Sequence, residues 1–194
     1  RVLIQGFGVV GSSVAQHLSS AGAHVIGVSD RAKAVYDADG LSHEGLLAAT
    51  DDSGLLQAAR LRCTVGARDE LLAREADVLV LAAGSSLVDV EVAGRVHARL
   101  VVEAANSAIT DPARATLHRR GIRVVPDVVA NSASAALVGH QIASANSRPP
   151  AALWAEIERS IRSSTDEVEE VSRRLDIDSK TAFRRVFDRA ALPR

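Results

Sequence analysis

The chain has 194 residues, 47% of them hydrophobic, which is enough for the core of one α/β domain with a helical tail and cramped for two full domains. Lys and Arg number 23 against 24 Asp and Glu, a net charge of -1, so no summed field would draw the chain to nucleic acid or an anionic membrane. The single Cys63 excludes an internal disulfide, no Cys/His cluster has zinc-ligand spacing, and no apolar run nears the ~20 residues that span a bilayer. A reducing cytoplasm and no metal are expected.

The first predicted element is a strand over Val2-Leu3-Ile4, followed at once by Gly6-Phe7-Gly8-Val9-Val10-Gly11 and then by a helical pattern with Val10, Val14 and Leu18 as its apolar stripe. In that order, strand then glycines then helix, G-x-G-x-x-G is the fingerprint of a dinucleotide-binding turn. Gly6 permits the sharp exit from the strand, Gly8 lets a pyrophosphate approach the backbone, and Gly11 lets helix and sheet pack closely. Further strands are predicted at His24 to Val28, weakly at Leu61 to Val65, and at Asp77 to Leu81, Leu100 to Val102 and Ile122 to Val125. Asp111 reads as the N-cap of a helix with Pro112 at its first position, and Gly121 as the end of that helix. Past Asn131 only helices are predicted: Ser132 to Ser144, a break at Arg148-Pro149-Pro150, then Ala151 to Arg174 and Ser179 to Ala190. Glu169/Arg173 and Glu170/Arg174 are placed for i,i+4 pairing on a solvated face.

Strands alternating with helices specify right-handed βαβ crossovers, hence a Rossmann-like, doubly wound, mostly parallel sheet over residues 1–145 with a C-terminal helical extension over 146–194 packed on it. The chain contains no Met and opens at the lip of its first strand, so it is expected to be a piece of a longer polypeptide.

Ligands of open parallel sheets lie beyond the carboxyl ends of the strands, where strand order reverses. The residues just past the predicted strands are Gly6 to Gly11, Ser29 and Asp30, Ala82-Ala83-Gly84, Glu103 to Asn106, Pro126-Asp127 and Asn131. Asp30, roughly 20 residues after the last glycine, is placed to accept hydrogen bonds from an adenosine ribose, although it also reads as a turn-former. Arg31 and Lys33 could instead meet a 2′-phosphate, so NAD is the expected cofactor with NADP kept open. Ala82, Ala83 and Gly84 are expected to be useful for their smallness. Asn106 and Asn131 offer carboxamides for the nicotinamide end or a substrate, with an Asx-turn and a helix N-cap as their structural alternatives. The candidate cofactor site is therefore Gly6, Phe7, Gly8, Val9, Val10, Gly11, Ser29, Asp30, Arg31, Ala82, Ala83, Gly84, Asn106 and Asn131.

In order along the chain, Ile4-Gln5-Gly6-Phe7-Gly8-Val9-Val10-Gly11, Val28-Ser29-Asp30, Asp39-Gly40-Leu41, Glu103-Ala104-Ala105-Asn106 and Pro126-Asp127-Val128-Val129-Ala130-Asn131 resemble the glutamate/leucine/phenylalanine/valine dehydrogenase family. The likeness runs nearly the whole chain but covers only that family's C-terminal, cofactor-binding domain. It implies oxidative deamination of an L-amino acid to a 2-oxo acid, with hydride passing to a nicotinamide, usually in a homo-oligomer. By position it assigns pyrophosphate to Gly6 to Gly11, the adenosine ribose to Asp30, the nicotinamide end to Asn106 and the nicotinamide side of the substrate pocket to Asn131. Where the family commonly has Glu-Gly-Ala-Asn and Asn-Ala-Gly-Gly, this chain has Glu103-Ala104-Ala105-Asn106 and Asn131-Ser132-Ala133-Ser134, whose Cβ atoms are expected to narrow the nicotinamide pocket. The family's catalytic lysine belongs to an N-terminal domain absent here, and neither Lys33 nor Lys180, in the tail, is expected to replace it, so no residue is assigned to catalysis. Among the histidines only His140 could approach a substrate, and a packed or solvent-facing histidine is the expected reading there. Two other readings stay open: a non-catalytic or regulatory dinucleotide-binding domain, and an unrelated oxidoreductase sharing only the Rossmann core.

Overall fold

The computed structural model describes residues 1–143 and 150–188. Strand β1 (Val2–Gln5) leads into helix α1 (Val9–Ser20), and strand β2 (Val25–Ser29) turns back as β3 (Lys33–Tyr36). Helix α2 (His43–Ala48), strand β4 (Thr64–Ala67), strand β5 (Glu75–Leu81), helix α3 (Val90–Arg95), strand β6 (His97–Glu103), helix α4 (Asp111–Arg119) and strand β7 (Arg123–Val125) complete the sheet layers. Four helices follow: α5 (Asp127–Ala130), α6 (Ala133–Ala143), α7 (Pro150–Leu175) and α8 (Ser179–Phe187). Among the described residues no helix is long and apolar enough to cross a membrane.

The seven strands lie in the order β4-β3-β2-β1-β5-β6-β7, and β1, β2, β5, β6 and β7 pair in parallel. This is the doubly wound, mostly parallel architecture that the alternation of strands and helices predicts. Order reverses at β1, whose neighbours are β2 on one side and β5 on the other, so the crevice at its carboxyl end lies between the loops after β1 and β5. Successive side chains of a strand face opposite sides, and β1 shows it: Val2 and Ile4 join the core under α1 and α2, while Leu3 joins the core formed with α3 and α4. A third cluster of Val129, Val168 and Ala182, extended by Val125, Ile161, Ile177 and Phe183, fastens α7 and α8 onto α5 and β7.

Several local expectations need correction. Strand β3 was not predicted; it pairs antiparallel with β2 and β4, and the burial of Ala34, Val35 and Tyr36 on both faces removes the alternation by which a strand is recognised. The weak strand expected at Leu61 to Val65 lies later, at Thr64–Ala67, because Leu61 and Cys63 instead pack into the core under α1. The cap of α4 is Thr110, whose hydroxyl accepts from the Ala113 N–H, which moves Asp111 inside the helix. On α1 the buried stripe is Gly11 and Ala15 with Val14 and Leu18 beside them; Val10, on the first turn, stands beyond the sheet edge and is 46% exposed. Glu169 bonds Arg123 on β7 at 2.7 Å, crossing to the sheet rather than staying on its own helix. The break at Arg148 and Pro149 and the limit between residues 145 and 146 lie outside the described residues, as does the expected end of the last helix at Ala190.

Candidate cofactor site

The glycine turn is built from three different constraints. Gly6 has φ +95°, in the left-handed region that side chains disfavour, and a Cβ on it would lie 2.6 Å from the Ala83 Cβ. A Cβ on Gly11 would sit 1.8 Å from the Gly6 carbonyl oxygen, so α1 presses directly on the turn that precedes it. Gly8 differs from both, since a Cβ there would meet nothing within 4 Å. It is the N-cap of α1 and has no side-chain cap, so the first-turn amides, with the positive end of the helix dipole, face the open carboxyl edge. Space above the backbone and unpaired donors beneath it are what a diphosphate requires. Val9, 90% exposed, and Val10 flank this opening, while Phe7 is buried in the core and presents only its backbone.

Ser29, 0% exposed, lies under the turn: its carbonyl and its Oγ both accept from the Gly6 N–H, at 3.0 and 3.3 Å. Asp30 closes the tight turn between β2 and β3. Its Oδ1 accepts from the N–H groups of Ala32 at 2.6 Å and Lys33 at 2.8 Å, and its Oδ2 from the Leu56 N–H at 2.7 Å. A carboxylate has about four acceptor positions, so three are used within the protein and one remains. The Lys33 ammonium donates to the Leu56 carbonyl at 2.9 Å, which leaves Arg31, exposed and without a partner among the described residues, as the cation at this rim. Across the crevice the Ala82 N–H donates to the Gln5 carbonyl at 2.8 Å, Ala83 abuts Gly6, and Gly84 has open space where a Cβ would be.

At the other end of the edge, the Asn131 Nδ2 donates to the Asn106 Oδ1 at 2.8 Å. The two carboxamides, chosen separately from the sequence, therefore form one unit, and Asn131 is the C-cap of α5 rather than the N-cap of the next helix. The loop that carries Asn106 is held from below. Ser107 has φ +50°, and its N–H donates to Asp127 Oδ2 at 2.8 Å; Glu103 Oε1 accepts from the Ile109 N–H at 2.9 Å. Glu103, fully buried, also receives Arg114 in a two-pronged pair at 2.7 and 3.1 Å, and Arg114 is only 2% exposed. Burial alone would raise the Asp127 carboxyl; the Ser107 N–H, the Lys180 ammonium, the Val128 N–H and Arg114 together outweigh it and hold the group below its ordinary value.

Three side-chain partnerships escaped the sequence reading. Arg114 sits mid-helix with no motif around it. Lys180 lies in the tail, yet α8 returns it to 3.5 Å from Asp127 Oδ1. The signal for the second was weak: Asp178-Ser179-Lys180 marks only a helix start, with Asp178 accepting from the Lys180 and Thr181 N–H groups. His43 is a smaller omission, its Nε2 lying 3.3 Å from Ser12 Oγ on α1. The side chain of His140 lies outside the described residues.

The sequence profile of the Glutamate/Leucine/Phenylalanine/Valine dehydrogenase family matches residues 1–191. The chain belongs to this family. Among its curated members, the catabolic NAD-specific glutamate dehydrogenase of Bacillus subtilis is 40% identical over 132 residues, 68% of this chain and 31% of that enzyme. The NADP-specific glutamate dehydrogenase of Saccharolobus shibatae is 36% identical over 151 residues, 76% of this chain and 34% of that enzyme. Of solved structures, the hetero-hexameric glutamate dehydrogenase of Thermus thermophilus superposes with a TM-score of 0.79 at 29% identity, over 94% of this chain and 44% of that one. The chain thus spans about a third of the length of the curated relatives it matches.

The half-buried Ala104 and Ala105 pack against the two core clusters, one on each. The Ser132 hydroxyl is turned back onto the Val129 carbonyl at 2.7 Å. For Asp30, the geometry sets the expected result of substitution. Asp30→Ala leaves three N–H groups without an acceptor, one of them buried, and is expected to destabilise the chain by roughly 1–3 kcal/mol. A fall in the urea midpoint at unchanged slope is the measurement; an unchanged midpoint would refute this account of the turn.

Proposed function

We propose that the chain binds a nicotinamide dinucleotide along the carboxyl edge of the sheet and is the cofactor-binding part of an amino acid dehydrogenase. The reaction is oxidative deamination of an L-amino acid to a 2-oxo acid. The observation that carries this reading is the Gly8 cradle: open space over an uncapped helix N-terminus at the point where strand order reverses. In this reading, the amides of the first turn of α1 bind the pyrophosphate and Gly8 and Gly84 admit it to the backbone. The last acceptor position of Asp30 takes an adenosine ribose hydroxyl, and Asn106 with Asn131 orients the nicotinamide end. When bound, the dinucleotide supplies the hydride acceptor at its nicotinamide ring.

The relatives include both an NAD-specific and an NADP-specific enzyme, so family membership supports a nicotinamide dinucleotide and leaves the choice to local residues. Asp30 would repel a 2′-phosphate while the unpaired Arg31 would attract one. Because the Asp30 carboxylate is fixed by three N–H groups and Arg31 is an exposed side chain, NAD is the reading favoured here. In the full-length protein we place the groups that act on the amino acid in a partner domain, and the assembled enzyme as a homo-oligomer in the cytoplasm. The test is a titration of the chain with NADH, followed by cofactor fluorescence. Saturable enhancement is expected, tighter for NADH than for NADPH; no binding of either at millimolar concentration overturns the proposal.

A further inference from the structure

We infer that Lys180, on the C-terminal helix α8, is a positioning residue for the nicotinamide end of the site, acting through Asp127 on the loop that carries Asn106. The inference rests on the cofactor reading given above and adds to it a role for the helical extension.

The chain of contacts is short. Asp127 Oδ2 accepts from the Ser107 N–H at 2.8 Å, and Ser107 holds a left-handed backbone, φ +50°, that a residue with a side chain adopts only when its surroundings impose it. The preceding residue is Asn106, already bonded to Asn131. The other carboxylate oxygen, Asp127 Oδ1, is buried and has no hydrogen-bond partner; the Lys180 ammonium at 3.5 Å is the cation that faces it. The remaining charges around Asp127 are Glu103 and Arg114, and those two are spent on one another; the Asp127 N–H donates to Glu103 Oε2 at 3.3 Å. Without Lys180 the carboxylate would keep the Ser107 and Val128 N–H groups and an Arg114 already engaged by Glu103, but would lose the cation that faces Oδ1 beside the negative Glu103; a buried charge so weakened is relieved by moving or by protonation, either of which loosens the Ser107 N–H.

Lys180 is itself held at both ends. Asp178 caps α8 by accepting from the backbone N–H groups of Lys180 and Thr181, and Ala182 and Phe183 seat the helix in the third core cluster. Beside the apolar packing of Val129 on Val168 and Ala182, the Lys180–Asp127 ion pair therefore links the helical extension to the loop that carries Asn106. A displacement of α8 relative to β7 would reach Asn106 through it.

The experiment uses the 194-residue chain with three forms: unsubstituted, Lys180→Met and Lys180→Arg. Lys180→Met keeps an unbranched stem and removes the charge, and is expected to weaken NADH about 5- to 10-fold, the size of a modest coupling between sites. Lys180→Arg restores a cation facing Asp127 and is expected to recover most of that loss. A second readout needs no cofactor: hydrogen exchange at the Ser107 amide should accelerate in Lys180→Met and return toward the original rate in Lys180→Arg. Equal NADH affinity in all three forms, or a loss in Lys180→Met that arginine does not rescue, overturns the inference. Unchanged Ser107 exchange overturns it as well. Failure of the unsubstituted chain to bind NADH is a separate result and falls on the cofactor reading.

Discussion

Gly8→Ala should fold as the unsubstituted chain does and lose the dinucleotide. The backbone of Gly8, with φ -90° and ψ -159°, is open to any L-residue, and the added methyl would meet no protein atom within 4 Å. Its cost to stability should therefore stay within about 0.5 kcal/mol, as at a surface position. The same methyl would occupy the space through which a pyrophosphate reaches the first-turn amides, and a loss of NADH affinity on the order of 100-fold, about 2.7 kcal/mol, is expected. Thermal unfolding and fluorescence titration on one preparation separate the two effects. Gly11→Ala is the contrasting control: a Cβ 1.8 Å from the Gly6 carbonyl oxygen must force α1 off the sheet, so stability and binding should fall together. Should Gly8→Ala bind NADH as tightly as the parent chain, the cradle is not the pyrophosphate site.

Arg114→Met is expected to produce the largest loss of stability among the substitutions considered. It removes the guanidinium from Glu103, a carboxylate with no exposure, and breaking one partner out of a buried pair costs about 3–5 kcal/mol because the charge left behind has nothing to compensate it. For a chain of this size that corresponds to a drop in melting temperature on the order of 10 °C. Replacing both members with apolar residues would not restore the parent stability, as it does for some isolated pairs. Glu103 also accepts from the N–H groups of Ile109 and Asp127, and those would lose their acceptor. A melting temperature for Arg114→Met within a degree or two of the parent would show that the pair is not buried in solution as described.

Much of the sheet could be read from the chain because its parallel strands carry short continuous apolar runs. Val2 to Ile4, Val78 to Leu81 and Leu100 to Val102 are such runs, and the glycine turn announced itself by lying between a strand and a helix. Strand β3 was hidden for a physical reason. Ala34, Val35 and Tyr36 are buried on both faces of the sheet and show no alternation, and the turn that joins β3 to β2 is made by a side chain, Asp30, rather than by glycine or proline. The candidate site was legible as a set of strand-end positions. What those positions do was less so, since the carboxylate of Asp30 looked like a ligand for a ribose and is mostly committed to the protein's own N–H groups.

Local pattern therefore settled which segments become strands and helices, that the sheet is wound on both faces, and where the dinucleotide fingerprint lies, because each depends on neighbours a few residues apart. The joining of Asn131 to Asn106, the pairing of Glu103 with Arg114 and the return of Lys180 to Asp127 belong to the folded chain alone. They pair groups from different elements, and a charge or carboxamide shows nothing of its distant partner until hydrophobic packing of β7, α5, α7 and α8 has removed both from water and made an unpaired polar group costly.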